Sequence, residues 1–219
     1  MSNAVSLVAD VTVPHVKICG VTSMLDATLV RDAGADALGL IYASSVRQVM
    51  ADVASDIVAR YGDVLWCVGV FRNQDEHDVI RIVERDELRV VQLHDPASER
   101  LLDALATRGV KVIRALSVHH AVLNDLEREQ IVAVIVDGAQ PGSGVANEWD
   151  AVSSLHFSVP TIIAGGLNPD NVADVVAAVR PWGVDVASGV EFRHGVKDPA
   201  KVASFVSRAR EALTQEGAQ

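Results

Sequence analysis

Two residues able to exchange protons end short β-branched runs. They are a thiol, Cys19, in Val16-Lys17-Ile18-Cys19 and a carboxyl, Asp137, in Val134-Ile135-Val136-Asp137. A thiolate accepts a proton, and a carboxyl kept neutral by its surroundings donates one. Similar runs place Gln92 and His94 in Val90-Val91-Gln92-Leu93-His94, and Asp185 in Gly183-Val184-Asp185-Val186. Two glycine-bearing turns, Ala164-Gly165-Gly166-Leu167 and Ala187-Ser188-Gly189-Val190, would let backbone N–H groups approach an anion closely. Each feature also has an ordinary reading. Cys19 can be a small buried hydrophobe, as Cys67 within Trp66-Cys67-Val68 is read, and Asp137 can cap the loop Gly138-Ala139-Gln140-Pro141. The glycines can be tight turns and His94 ordinary packing. What separates Cys19 from Cys67 is its place at a strand end beside Gly20. A cation two residues away, Lys17, is also expected to lower its pKa.

The elements that must position these groups alternate in type from Val16 onward. Strands are expected at Val16–Cys19, Ala37–Tyr42, Leu65–Phe71, Val90–His94, Lys111–Leu116, Ala133–Asp137, Thr161–Ala164 and Val184–Ala187. Amphipathic helices are expected at Met24–Ala33, Val53–Tyr61, Glu76–Glu84, Glu99–Thr107, Pro169–Val179 and Pro199–Leu213. Asn168-Pro169-Asp170 reads as a helix start, and Ala33-Gly34 and Arg108-Gly109 as helix stops. Eight βα units predict a single (β/α)8 TIM barrel over residues 1–219, with 1–13 an N-terminal extension and 214–219 a C-terminal tail. An open doubly wound sheet would carry a Gly-rich dinucleotide turn after its first strand, and Cys19-Gly20-Val21-Thr22 is not one.

In such a barrel the active site lies at the C-terminal ends of the strands, with phosphate held by the loops after strands seven and eight. Alternation along a strand puts Lys17 with Cys19 on one parity, Gln92 with His94, and Asp137 and Asp185 opposite their valine neighbours. A phosphate held by Gly165, Gly166, Ser188 and Gly189 would place a small sugar between Cys19 and Asp137.

Composition bounds the partners. The 219 residues carry 19 Lys and Arg against 29 Asp and Glu, a net charge of −10, with no basic run for nucleic acid or anionic membrane. Backbone dipoles can bind an anion locally where the global field repels it. The longest apolar run, Val64 to Phe71, is too short to span a bilayer. Two cysteines and no export segment predict a cytoplasmic protein with reduced thiols. With His94 the one histidine at an expected strand end, no metal site is expected, which ranks a metal-dependent epimerase low. A non-catalytic phospholigand-binding barrel would need neither the thiol nor the acid.

Val16-Lys17-Ile18-Cys19-Gly20-Val21-Thr22, Val91-Gln92-Leu93-His94, Ala164 to Val172, Gly183 to Glu191 and Lys197-Asp198, taken together, resemble the phosphoribosylanthranilate isomerase family. The resemblance covers nearly the whole chain. Departures fall at Ser45-Val46-Arg47, Pro141-Gly142-Ser143-Gly144, Asn147-Glu148-Trp149 and His194-Gly195. The resemblance implies a (β/α)8 barrel that performs an Amadori rearrangement in tryptophan biosynthesis. It implies no cofactor, a small sugar-phosphate substrate, and a monomer or homodimer. By position it implies Asp137 as general acid, Cys19 as general base and Arg47 near the anthranilate moiety. Gln92, His94 and Asp185 become substrate-binding residues, and Gly165, Gly166, Ser188 and Gly189 hold the phosphate.

Overall fold

The computed structural model describes residues 13, 15–117, 126–138, 153 and 155–217. Eight parallel strands close into a barrel in sequence order. They are β1 (Val16–Cys19), β2 (Ala37–Ile41), β3 (Trp66–Phe71), β4 (Val90–Leu93), β5 (Lys111–Ser117), β6 (Ile131–Asp137), β7 (Thr161–Ala164) and β8 (Gly183–Val186). Described helices are α1 (Met24–Asp32), α2 (Ala51–Tyr61), α3 (Glu76–Arg85), α4 (Glu99–Thr107), α5 (Val172–Val179) and α6 (Pro199–Gly217). A hairpin of β9 (Glu191–Arg193) and β10 (Val196–Lys197) lies between β8 and α6. Val13 is 4% exposed and packs with the interior cluster, and α6 runs to Gly217.

Period two decides which face each strand residue takes. Val68, Val90, Ile113, Ala133, Ile135 and Ile162 pack with Cys19 in the barrel interior. Their neighbours Val91, Val112, Val134, Val136 and Ile163 join Val16 and Ile18 in the larger core under the helices. The parity read from the sequence therefore holds, and it carries Lys17, Cys19, Gln92, Asp137 and Asp185 to the interior side.

Local chemistry starts and stops the helices. Ser23 accepts from Asp26 N, Asp75 from His77 N and Ser98 from Leu101 N, each satisfying a first-turn donor. Gly34 and Gly109 take positive φ just past α1 and α4, as the stops require. The expected start of α5 at Pro169 is not found. Asn168 Oδ1 instead accepts from Asp170 N and Asn171 N, while Asn168 N donates to Asn171 Oδ1. This side-chain turn uses up the capping group four residues before the helix, which begins at Val172 without a side-chain cap.

Outside the barrel, the Asp86 carboxylate joins three elements. It accepts from Tyr42 Oη at 2.7 Å, from Ser55 Oγ at 2.5 Å and from the Arg85 fork at 2.7 and 2.6 Å. Burial opposes ionisation, but the Arg85, Ser55 and Tyr42 donors hold Asp86 below its ordinary pKa. Asp86→Ala leaves the Tyr42 hydroxyl buried without its acceptor. It should lower unfolding free energy by about 2–4 kcal/mol in urea titration, with Asp86→Asn losing less.

Candidate active site

The strand ends of β1 and β8 bring three groups together. Lys17 is fully buried, and its ammonium donates to Asp185 Oδ2 at 3.0 Å. The register of β1 on β8 pairs Lys17 with Asp185 directly, so both project inward at one level. Two residues further along β1, Cys19 pairs with Gly39 of β2. A Cβ at Gly39 would lie 2.7 Å from Cys19 Sγ and 3.2 Å from Lys17 Nζ. Gly39 thus clears the space in which thiol and ammonium approach each other.

Burial raises the Cys19 pKa, with the Lys17 ammonium pulling it down and Asp185 opposing that pull. The expectation that Lys17 would leave a lowered thiol pKa is therefore overturned. The Lys17 charge is already matched by Asp185, and desolvation prevails. For Lys17 burial acts the other way, but Asp185 and Cys19 outweigh it and hold its pKa above the ordinary value.

Across the mouth, Asp137 ends β6 and is exposed. Desolvation and the Asp185 charge raise its pKa, against the pull of Arg72. Both Cys19 and Asp137 thus respond to Asp185, the thiol from β1 and the carboxyl from β6. On β4, Gln92 Nε2 donates to His94 Nε2 at 3.0 Å, which requires a neutral ring. Burial, then Lys17 and Arg72, lower the His94 pKa to about 4. Among the described residues, Gln92 Oε1 and Asp185 Oδ1 are buried acceptors without a partner.

The two glycine turns meet. A Cβ at Gly189 would sit 1.9 Å from Leu167 O, so only glycine lets the turn after β8 lie against the one after β7. Gly165 and Gly166 take φ of 91° and 65°, and a Cβ at Gly165 would fall 2.4 Å from Gly138 O. Asn171 Nδ2 donates to Gly166 O at 3.0 Å, so the Asn168 turn also fixes the turn after β7. Ser188 opens a single 3-10 turn and is exposed.

Arg47 lies in the loop after β2, its stem against Gly20. Its Nε and Nη2 donate to Glu191 Oε1 and Oε2 at 2.7 and 2.8 Å. Glu191 belongs to the hairpin, as does Lys197, whose ammonium donates to Cys19 O, Ala187 O and Glu191 Oε1. The segments 141–144 and 147–149 lie outside the described residues. Among the described residues no cluster of His, Cys, Asp and Glu could hold a metal ion, and no helix is long and apolar enough to cross a membrane.

The profile of a family described as N-(5′phosphoribosyl)anthranilate (PRA) isomerase matches residues 16–208. The chain belongs to the PRA isomerase family. It is 42% identical over 205 residues to N-(5′-phosphoribosyl)anthranilate isomerase of Desulforudis audaxviator, covering 90% of this chain and 98% of that protein. The crystal structure of TrpF from Jonesia denitrificans superposes with a TM-score of 0.81 at 33% identity, covering 91% of this chain and 98% of the other. A phosphoribosyl anthranilate isomerase in complex with reduced 1-(o-carboxyphenylamino)-1-deoxyribulose 5-phosphate has a TM-score of 0.71 at 30% identity, with 91% and 100% covered.

Within this PRA isomerase fold, sequence reasoning placed the strand-end groups and both glycine turns but missed Gly39 and the Arg47–Glu191 pair. A glycine inside Ala37-Leu38-Gly39-Leu40-Ile41 was the available signal, since glycine in a strand often marks a close approach. Glu191 carried no local signal, because its partner lies 144 residues away.

The buried neutral His94 has a consequence for stability. An unfolded histidine titrates near 6.5 and the folded one at about 4, so between these values the unfolded chain binds the extra proton. Stability should therefore be independent of His94 above that window and fall as pH drops through it. His94→Gln should flatten this part of the profile, measured by urea unfolding across the window.

Proposed function

We propose that this chain converts N-(5′-phosphoribosyl)anthranilate to 1-(o-carboxyphenylamino)-1-deoxyribulose 5-phosphate, the Amadori step of tryptophan biosynthesis. Family membership sets the reaction class. The observation that carries the residue roles is the arrangement of Cys19 and Asp137 on interior-facing strand ends around one Lys17–Asp185 pair.

Asp137 acts as general acid. Its raised pKa favours the protonated carboxyl, whose proton passes to the ring oxygen as the furanose opens to a protonated Schiff base. Cys19 acts as general base and takes the proton from C2′. The resulting enolamine gains a proton at C1′ and releases the one on its 2′-hydroxyl, becoming the ketone, so that substrate and product hold the same number of protons. A buried thiol resists ionisation, so the Lys17 ammonium beside it matters most when the thiolate forms. The unpartnered acceptors Asp185 Oδ1 and Gln92 Oε1 suit sugar hydroxyl donors, with His94 holding the Gln92 amide.

The phosphate binds at the touching turns of Gly165, Gly166, Ser188 and Gly189, where backbone N–H groups are the donors. Arg47 faces the anthranilate end; two of its guanidinium nitrogens serve Glu191 and Nη1 lies outside that pair. No metal or cofactor enters this scheme. Every residue it uses comes from one chain, so a monomer or a homodimer serves it equally. We place the reaction in the cytoplasm, where both thiols stay reduced.

Loss of anthranilate-ribosyl-phosphate fluorescence with the purified protein tests the activity. Cys19→Ala and Asp137→Asn should each lower kcat by about 10² or more while inorganic phosphate still binds. Wild-type turnover in either variant would overturn its assigned role. Gly39→Ala should lower kcat by at least about tenfold in a folded protein, because its methyl displaces the thiol or the ammonium.

A further inference from the structure

The reaction scheme gives no role to Lys197, which sits on the hairpin outside the barrel. Its ammonium is nevertheless buried, at 3% residue exposure, and makes three contacts. It donates to Cys19 O at 2.6 Å, to Ala187 O at 3.0 Å and to Glu191 Oε1 at 3.3 Å, matching three donors to three acceptors.

The first two acceptors are telling. The ladder between β1 and β8 pairs Val16 with Val184, Lys17 with Asp185 and Ile18 with Val186, and ends there. Cys19 and Ala187 would be the next pair. Lys197 spans their carbonyls, carrying the connection one step beyond the strands. On one side of that step is the proposed base, and on the other Ala187 leads directly into Ser188 and Gly189.

An apolar side chain would anchor a hairpin without burying a charge. Here the charge is kept and balanced by Glu191, which Arg47 grips with two nitrogens while its stem lies on Gly20. Although burial opposes it, Arg47 and Lys197 hold Glu191 below its ordinary pKa, while burial lowers that of Lys197 against the pull of Glu191. The backbone of the hairpin is fastened as well, by Asp198 N donating to Val190 O and by Lys201 Nζ donating to Glu191 O.

We propose that Lys197 is a positioning residue that ties the end of β1 carrying Cys19 to the phosphate-gripping turn after β8, so that a seated phosphate fixes the thiol. This rests on the isomerase reading given above.

The test compares the full-length wild type with Lys197→Met in three measurements. These are thermal unfolding, calorimetric binding of inorganic phosphate, and the rate of Cys19 alkylation by iodoacetamide with and without saturating phosphate. Alkylation is followed by peptide mass so that Cys67 is read separately. In the wild type, phosphate should change the Cys19 alkylation rate by about fivefold or more, an ordinary site-to-site coupling. In folded Lys197→Met, phosphate should bind at least about tenfold more weakly and its effect on Cys19 should vanish.

A purely structural anchor would lower the melting temperature yet leave both phosphate readouts within twofold of wild type in the folded protein, and that result overturns the proposal. If Lys197→Met does not fold, Lys197→Arg decides. A planar guanidinium cannot direct its donors to the same three oxygens, so both phosphate readouts should again weaken, and wild-type values overturn the proposal. A wild type that binds no phosphate and turns over no substrate overturns the isomerase reading, and this proposal with it. A competent wild type with an indifferent Lys197→Met overturns this proposal alone.

Discussion

The site depends on one buried ion pair, Lys17 with Asp185, at the mouth of the barrel. An ammonium with no solvent exposure has to be compensated from within the protein, and Asp185, its direct register partner on β8, supplies the hydrogen-bonded carboxylate. The pair then sets the protonation of its neighbours. Asp185 helps keep a proton on Asp137, Lys17 helps keep one off His94, and Lys17 favours the thiolate of Cys19 that burial alone opposes. Replacement by apolar residues of similar volume could serve stability as well. It would leave the acid, the base and the neutral imidazole without their common electrostatic reference.

A second charged cluster of Lys197, Glu191 and Arg47 stands beside the first. The first cluster is neutral and the second sets two cations against one carboxylate, a net charge of +1, so together they offer only a small positive field to an anionic substrate. That fits a chain with a net charge of −10 whose phosphate grip is assigned to backbone dipoles. The contact between Gly189 and Leu167 O brings the two turns close enough to act on one anion.

Much of this was legible in the sequence because a barrel strand obeys two simple rules. Side chains alternate, and function gathers at the C-terminal ends. These rules placed Cys19, Gln92, Asp137 and Asp185 on the interior side, and the glycine pairs identified the turns after β7 and β8. What escaped depended on distant partners or on competition between local bonds. The thiol was expected to be acidic because Lys17 is two residues away, but the neutralising Asp185 lies 168 residues from Lys17. Arg47 was placed near the anthranilate moiety by resemblance alone, and its bond to Glu191, 144 residues away, had no local signal. Asn168 has the composition of a helix cap, yet its side chain closes a turn that leads into α5 and braces Gly166 through Asn171. Composition gives a residue's capacity, and tertiary placement decides how that capacity is used.

The central claim is that the thiol removes a proton from C2′ of a phosphorylated sugar opened by the carboxyl opposite. Substrate deuterated at C2′ tests it most directly, in a fluorescence assay beside the protiated compound. The account predicts that both are consumed and that the deuterated one is consumed more slowly. No consumption of either compound would contradict it.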